Sequence, residues 1–393
     1  MFDPKNFDKI KNIIILHHDD MDGYISARQL VCEFSNYSNI TNIETHECTY
    51  GSKDNVDIAE RVIADVVERY LGLLDNNLHD EYESRKCAGI NTAIFIVDFS
   101  VKPYVMEKLL YFFGFQNVYW IDHHESVIMG YLKTFEEMYI PRTMIRGLRV
   151  CNNLCASELT WLFLNKAFNG EKEDQIGAEH INYNGKSYNI DIKESRDELL
   201  SFIPEPIRAV GDWDVWRHVE YDDGDPRKND GLYINNYFST ISVNNLAEDY
   251  NDECFDAFDY SSYDEDNYAA YMDALNTGAI LQKYKNANYK KIFNKNNFEC
   301  IINDEKFNMI NAIAVNTTEH TSLLFNSVKD NYEVGIVYNF NGDKTRFSFY
   351  RLNENKDKVI NCATIASTFG GGGHAGAAGC IASQANEVIL PKL

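Results

Sequence analysis

The sequence predicts an α/β protein: an N-terminal, mostly parallel sheet flanked by helices, then a smaller C-terminal α/β domain. Three observations carry that reading. Over the first 125 residues, short continuous apolar runs alternate with helix-spaced segments, the pattern of strands buried on both faces. A long helix-spaced stretch follows an acidic, tyrosine-rich region. Strand-like runs then resume behind it. The expected division is 1–262 for the first domain, 263–294 for a connecting helix and 295–393 for the second.

Taken in order, "KNIIILH" (11–17) reads as a strand, "YISARQLVCEF" (24–34) as a helix and "IETHECTY" (43–50) as a second strand. "DIAERVIADVVERYLGLL" (57–74) is amphipathic with helical spacing. "TAIFIVDFS" (92–100) and "NVYWIDHH" (117–124) are strands, with the helix-spaced "YVMEKLLYFF" (104–113) between them. Residues 126–220 read as mostly helical, clearest in "CASELTWLFLNKAF" and "RDELLSFI". The region 221–266 reads as a solvated insertion; "DDGDPRKNDG" lacks the oxygen spacing and closing Glu of a calcium loop. "YAAYMDALNTGAILQKYKNANYKKI" is one long helix. The strands "FECIIN", "FNMINAIAVN", "YEVGIVYNF" and "TRFSFYRL" come next, with two helices and the glycine-rich "GGGGHAGAAG" (370–379).

Composition narrows the field. A net charge of −23 opposes wrapping long duplex nucleic acid, which needs a broad basic surface, but permits a short phosphate-bearing ligand. No apolar run reaches the length of a membrane span, and the start lacks the apolar centre of a signal peptide. Nine dispersed cysteines, an odd number without paired spacing, read as reduced thiols, so the expected location is cytoplasmic.

The first chemical signal is "HHDDMDG" (17–23) at the end of an apolar run. On an extended chain His18, Asp20 and Asp22 converge on one face, while His17 and Asp19 have the opposite parity. Gly23 would allow a sharp turn into the helix. "IFIVD" delivers Asp98, and "VYWIDHH" delivers Asp122, His123 and His124. In "IRAVGDWDVW" either Asp212 or Asp214 follows a short apolar run; Asp212 is preferred, since "AV" leads into it. Clustered buried carboxylates need cations, and imidazole with carboxylate but no thiolate suits manganese, iron or zinc. That many ligands argues for two ions, a device of phosphoryl chemistry. The glycine run 370–379 would bring backbone N–H groups to an anion as a concave nest, with His374 beside it.

These residues resemble a known family. "HDDMDG", "VD" at 97–98, "DHH" at 122–124 and "GD" at 211–212 are similar to the four motifs of the DHH phosphoesterases, and "GGGHAGAAG" to the closing motif of their DHH-associated C-terminal domain. The resemblance covers nearly the whole chain and is strongest to NrnB-type oligoribonucleases, or nanoRNases. It implies a manganese-dependent phosphodiesterase that cuts short single-stranded oligonucleotides to mononucleotides, with cyclic or linear dinucleotide signals, or an inactive nucleotide sensor, as alternatives. By the same resemblance, one Mn²⁺ would be held by His18, Asp20 and Asp98. The other would be held by Asp22, Asp98, His123 and Asp212. His124 would contact the scissile phosphate, and Asp122 would orient a neighbouring histidine. Gly371, Gly372, Gly373, His374 and, more weakly, Arg351 would bind substrate. No duplex or membrane partner is implied, and a homodimer stays open.

Overall fold

The computed structural model describes residues 7–48, 91–124, 145–149, 153–165, 181–183, 186–188, 196–240, 265–352, 360–373 and 375–392, with positions 61, 64, 127–128 and 131. The amphipathic segment expected at 57–74 lies largely outside these residues. The chain divides into two compact units, Met1–Ala279 and Ile280–Leu393.

The first unit is built on a four-stranded, wholly parallel sheet of order β2-β1-β3-β4, formed by β1 (Asn12–His18), β2 (Asn42–Cys48), β3 (Thr92–Val97) and β4 (Val118–Ile121). Both faces are covered, as the continuous apolar runs required. Ile13 and Ile15 face one core, shared with α1 (Met21–Ser35) and α3 (Ala156–Asn165). Ile14 and Leu16 face the other, shared with α2 (Pro103–Phe113). Strand order reverses at β1, so the carboxyl ends of β1 and β3 flank the switch point where open α/β sheets form ligand crevices. A two-stranded piece, β5 (Ile181–Tyr183) with β6 (Lys186–Tyr188), and α4 (Arg196–Leu200) follow.

"IRAVGDWD" lies in the helix α5 (Glu205–Asp214), within the region expected to be mostly helical. The described part of the insertion, 221–240, is not wholly solvated. Its helix α6 (Asp230–Phe238) buries Ile234 completely, and Gly231 admits the Ala209 carbonyl, 2.4 Å from where a Cβ would stand. The long helix is present as α7 (Glu265–Asn296).

The second unit is a seven-stranded mixed sheet of order β11-β12-β10-β9-β8-β7-β13. Its strands are β7 (Asn297–Ile302), β8 (Ala312–Asn316), β9 (Val334–Phe340), β10 (Thr345–Arg351), β11 (Gly372–Gly373), β12 (Ala377–Ala382) and β13 (Ile389–Pro391). Of the two helices expected, one is α8 (Cys362–Thr368) and the other a single 3-10 turn at Ser322–Phe325. The glycine run begins as a helix stop followed by a hairpin. Gly370, in the left-handed region (φ +75°), ends α8; its N–H donates to Ser367 and that of Gly371 to Ala366. Gly372 then pairs with Gly379 in a hairpin.

Candidate active site

β1 ends at His18, so the metal-ligand spacing is not one extended strip. His18 closes the strand, Asp20 caps α1 by accepting from the Gly23 N–H at 3.0 Å, and Asp22 lies in the first helical turn. A Cβ on Gly23 would stand 2.4 Å from the His18 carbonyl oxygen, so only glycine lets the helix start this close to the strand. His17 is buried, its Nδ1 2.8 Å from the His18 carbonyl.

The result is two clusters and not one. His18 Nδ1 lies 2.7 Å from Asp20 and 3.6 Å from Asp98. Burial raises the Asp20 carboxyl, but the hydrogen bond and charge of His18 outweigh it and hold Asp20 below the usual range. Asp22 is turned elsewhere: its two oxygens accept from the Ala156 and Ser157 amides at 2.7 and 2.8 Å, the N-terminus of α3. There His123 Nε2 lies 3.9 Å from Asp22, 3.4 Å from Asp214 and 3.3 Å from Asp98. Asp98, at the end of β3, stands between the two sets.

Asp98 is 1% exposed, its backbone is left-handed (φ +52°), and neither carboxylate oxygen has a hydrogen-bond partner. Burial first, then the negative charges of Asp20, Asp22, Asp214 and Asp122, push its pKa well above the ordinary range. Asp214 is raised in the same way, by burial and then by Asp22 and Asp20. Two buried carboxylates held against repulsion, neither fully satisfied by hydrogen bonds, are a pair that bound cations would relieve. Metal-ligand atoms lie within 4.8 Å of one another in three sets: His18, Asp20 and Asp98; Asp22, His123 and Asp214; and Asp98, His123 and His124.

Asp122 differs in kind. Its oxygens accept from the His123 and His124 amides at 2.7 and 3.0 Å, from Trp120 Nε1 at 3.2 Å, from the Ser100 hydroxyl and from His124 Nδ1 at 2.7 Å. Burial raises its pKa, but the His124 hydrogen bond outweighs this and leaves it below the usual range. Asp122 in turn lifts His124 to about 9, against the opposing effect of burial.

Asp212 is not brought to either cluster. It accepts from Arg217 Nε at 2.8 Å and from the Tyr221 hydroxyl at 2.8 Å. On a helix, positions i and i+2 point about 200° apart, so α5 can offer the site only one of the two acids, and it offers Asp214. The preference for Asp212 rested on the short apolar run "AV" that leads into it. The helical spacing of "EPIRAVGDWD" was the available signal. Arg217 itself and Glu158 had no signal in the sequence. In the second unit, Arg351 is half-buried at the end of β10, Gly372 and Gly373 are exposed, and His374 lies outside the described residues.

Compared by sequence, the chain matches no family model and no curated protein. Among solved structures it is similar to PggH, a pGpG-specific phosphodiesterase from Vibrio cholerae, with 12% identity and a TM-score of 0.39 over 95% of this chain and 94% of that one. It is also similar to RecJ from Thermus thermophilus in complex with Mn²⁺, at 13% identity and a TM-score of 0.41 over 96% of this chain and 50% of that one. Likenesses this distant set no activity for the chain. No helix among the described residues is long and apolar enough to cross a membrane.

Proposed function

We propose that the chain is a divalent-metal-dependent phosphodiesterase of the DHH kind, which hydrolyses short single-stranded oligonucleotides to nucleoside monophosphates. The observation that carries this reading is Asp98: a buried carboxylate that forms no hydrogen bond, held by a left-handed backbone between two sets of imidazole and carboxylate groups. His18, Asp20 and Asp98 would hold one ion; Asp22, Asp98, His123 and Asp214 would hold the second, with Mn²⁺ the preferred metal. Two such ions supply an activated water and neutralise the phosphate oxygens.

The chain's own groups do the rest. Asp122 takes His124 Nδ1 and keeps the imidazole protonated near neutral pH, so Nε2 is the atom that would meet a phosphate oxygen as charge develops. The α3 amides fix both oxygens of Asp22. His374, Gly371–Gly373 and Arg351 are assigned to substrate binding.

The deciding experiment is a product profile from an RNA ladder of about two to ten nucleotides beside cyclic dinucleotides, after EDTA dialysis and again with Mn²⁺ restored. Mononucleotides released only with metal support the reading. Hydrolysis that persists without metal overturns it, and faster turnover of cyclic dinucleotides moves the substrate.

A further inference from the structure

Arg217 is 3% exposed and uses all five of its N–H donors. Nε donates to Asp212 at 2.8 Å; Nη1 donates to the Asn153 carbonyl at 2.7 Å and to Glu158 at 2.8 Å; Nη2 donates to Glu158 and, at 3.3 Å, to the Arg208 carbonyl. Glu158 stands in the first turn of α3 and also accepts from the Cys155 amide at 3.0 Å. Asp212 and Arg208 belong to α5. One guanidinium therefore ties together the two helices that present Asp22 and Asp214: α3 through its amides, α5 through the residue it carries.

Two independent features show that the chain is shaped around this group. A Cβ on Gly211 would stand 2.5 Å from the Glu158 carboxyl and 2.7 Å from Arg217 Nη2, so the glycine before Asp212 is the space the pair occupies. Among the described residues the non-glycine positions with positive φ are Asp98, Asn153 and Trp216. The first stands between the two ligand sets, the second gives its carbonyl to Arg217, and the third precedes Arg217 in the chain. Such strain persists where surrounding contacts over-determine it, and it gathers at functional sites.

We propose that Arg217 is a positioning residue for the second metal position, setting the separation of Asp22 and Asp214 through the Glu158–Arg217–Asp212 clamp. This rests on the metal reading above. Asp212, in this account, serves the ion through Arg217 and not as a ligand.

The test uses the full chain and two measurements. Mn²⁺ titration counts the ions and their affinities, and amide exchange of Ala156 and Ser157 in the metal-free protein reports whether α3 still grips Asp22. Arg217→Lys keeps the charge but not the fork, so one ammonium cannot span both helices. It should leave one Mn²⁺ near its wild-type affinity, weaken the other about tenfold to a hundredfold, and speed exchange at both amides. Leu109→Ala, a cavity in the core on the opposite face of the sheet, is the control for general loss of stability. It should lower the melting temperature without separating the two ions. If Arg217→Lys does not fold, Asp212→Asn reads the same quantities with the same space filled. Two wild-type affinities with unchanged exchange, or changes matching those of Leu109→Ala, overturn the clamp. Should the wild type bind fewer than two ions, the metal reading fails and amide exchange alone decides the clamp.

Discussion

A carboxylate as deeply buried among other acids as Asp98 makes the metal-free protein carry a cost that a cation would remove. Burial and four neighbouring acids raise its pKa in the fold, so the fold holds its proton more tightly than the unfolded chain does. A raised folded pKa contributes stability that is full below the unfolded value and is lost as pH rises toward the folded one. Asp98→Asn has no such loss. Metal-free Asp98→Asn is therefore expected to melt above metal-free wild type, by a gap that widens between about pH 5 and pH 8, while Mn²⁺ binding collapses. Melting curves across that range check it. A gap that shrinks with pH would sink the assignment. His124 and His123 should separate just as clearly. With Asp122 holding His124 Nδ1 at 2.7 Å, His124→Ala should keep its metal content and lose about two orders of magnitude in turnover. His123→Ala, which removes the imidazole between Asp98 and Asp214, should lose metal as well. Metal analysis beside kcat decides, and equal metal loss would mean the two roles are exchanged.

Where strand meets helix, the tolerance is a single methyl group. Gly23→Ala would drive a Cβ against the His18 backbone, which can yield only by moving β1's last residue or the start of α1. The expected cost is about 1–3 kcal/mol with weakened Mn²⁺ binding, read by thermal melts and metal titration; an unperturbed variant would show that the junction relaxes freely. Apolar runs bounded by acids were enough to find β1, β3 and β4 and what they deliver, because strands covered on both faces carry a strong and simple pattern. Helical α5 escaped the same logic. Its "AV" before "GD" looks like a strand end, and only the amphipathic spacing from Glu205 onward shows why Asp214, and not Asp212, reaches His123. Glycine richness at 370–379 was similarly ambiguous: a helix stop and a hairpin need the same residue as a nest, since all three exploit backbone freedom. The Arg217 clamp could not be read at all, because the partners that join it to α3 lie far away in sequence, 59 residues at Glu158 and 64 at Asn153.

At the scale of the molecule, the charge balance of −23 sets the length of chain that can be handled. Metal ions can neutralise the phosphates at the reacting end, but each further phosphate meets a protein whose carboxylates outnumber its cations. The usual gain from counterion release is then absent, and extension adds repulsion in its place. Catalytic efficiency is expected to be highest for about two to five nucleotides and to fall steeply beyond, in a series of kcat/KM against length. The salt dependence gives the sharper check. For most nucleic-acid enzymes added salt weakens long substrates most; here screening should relieve repulsion, so a ten-nucleotide RNA should gain on a dinucleotide as ionic strength rises from about 0.01 to 0.15 M. The two arms share the same metals and the same His124, so their ratio isolates the tail beyond the site. A ratio that falls with salt, or efficiency that stays flat to about twenty nucleotides, would mean that local cations track the strand and that the short-substrate reading is wrong.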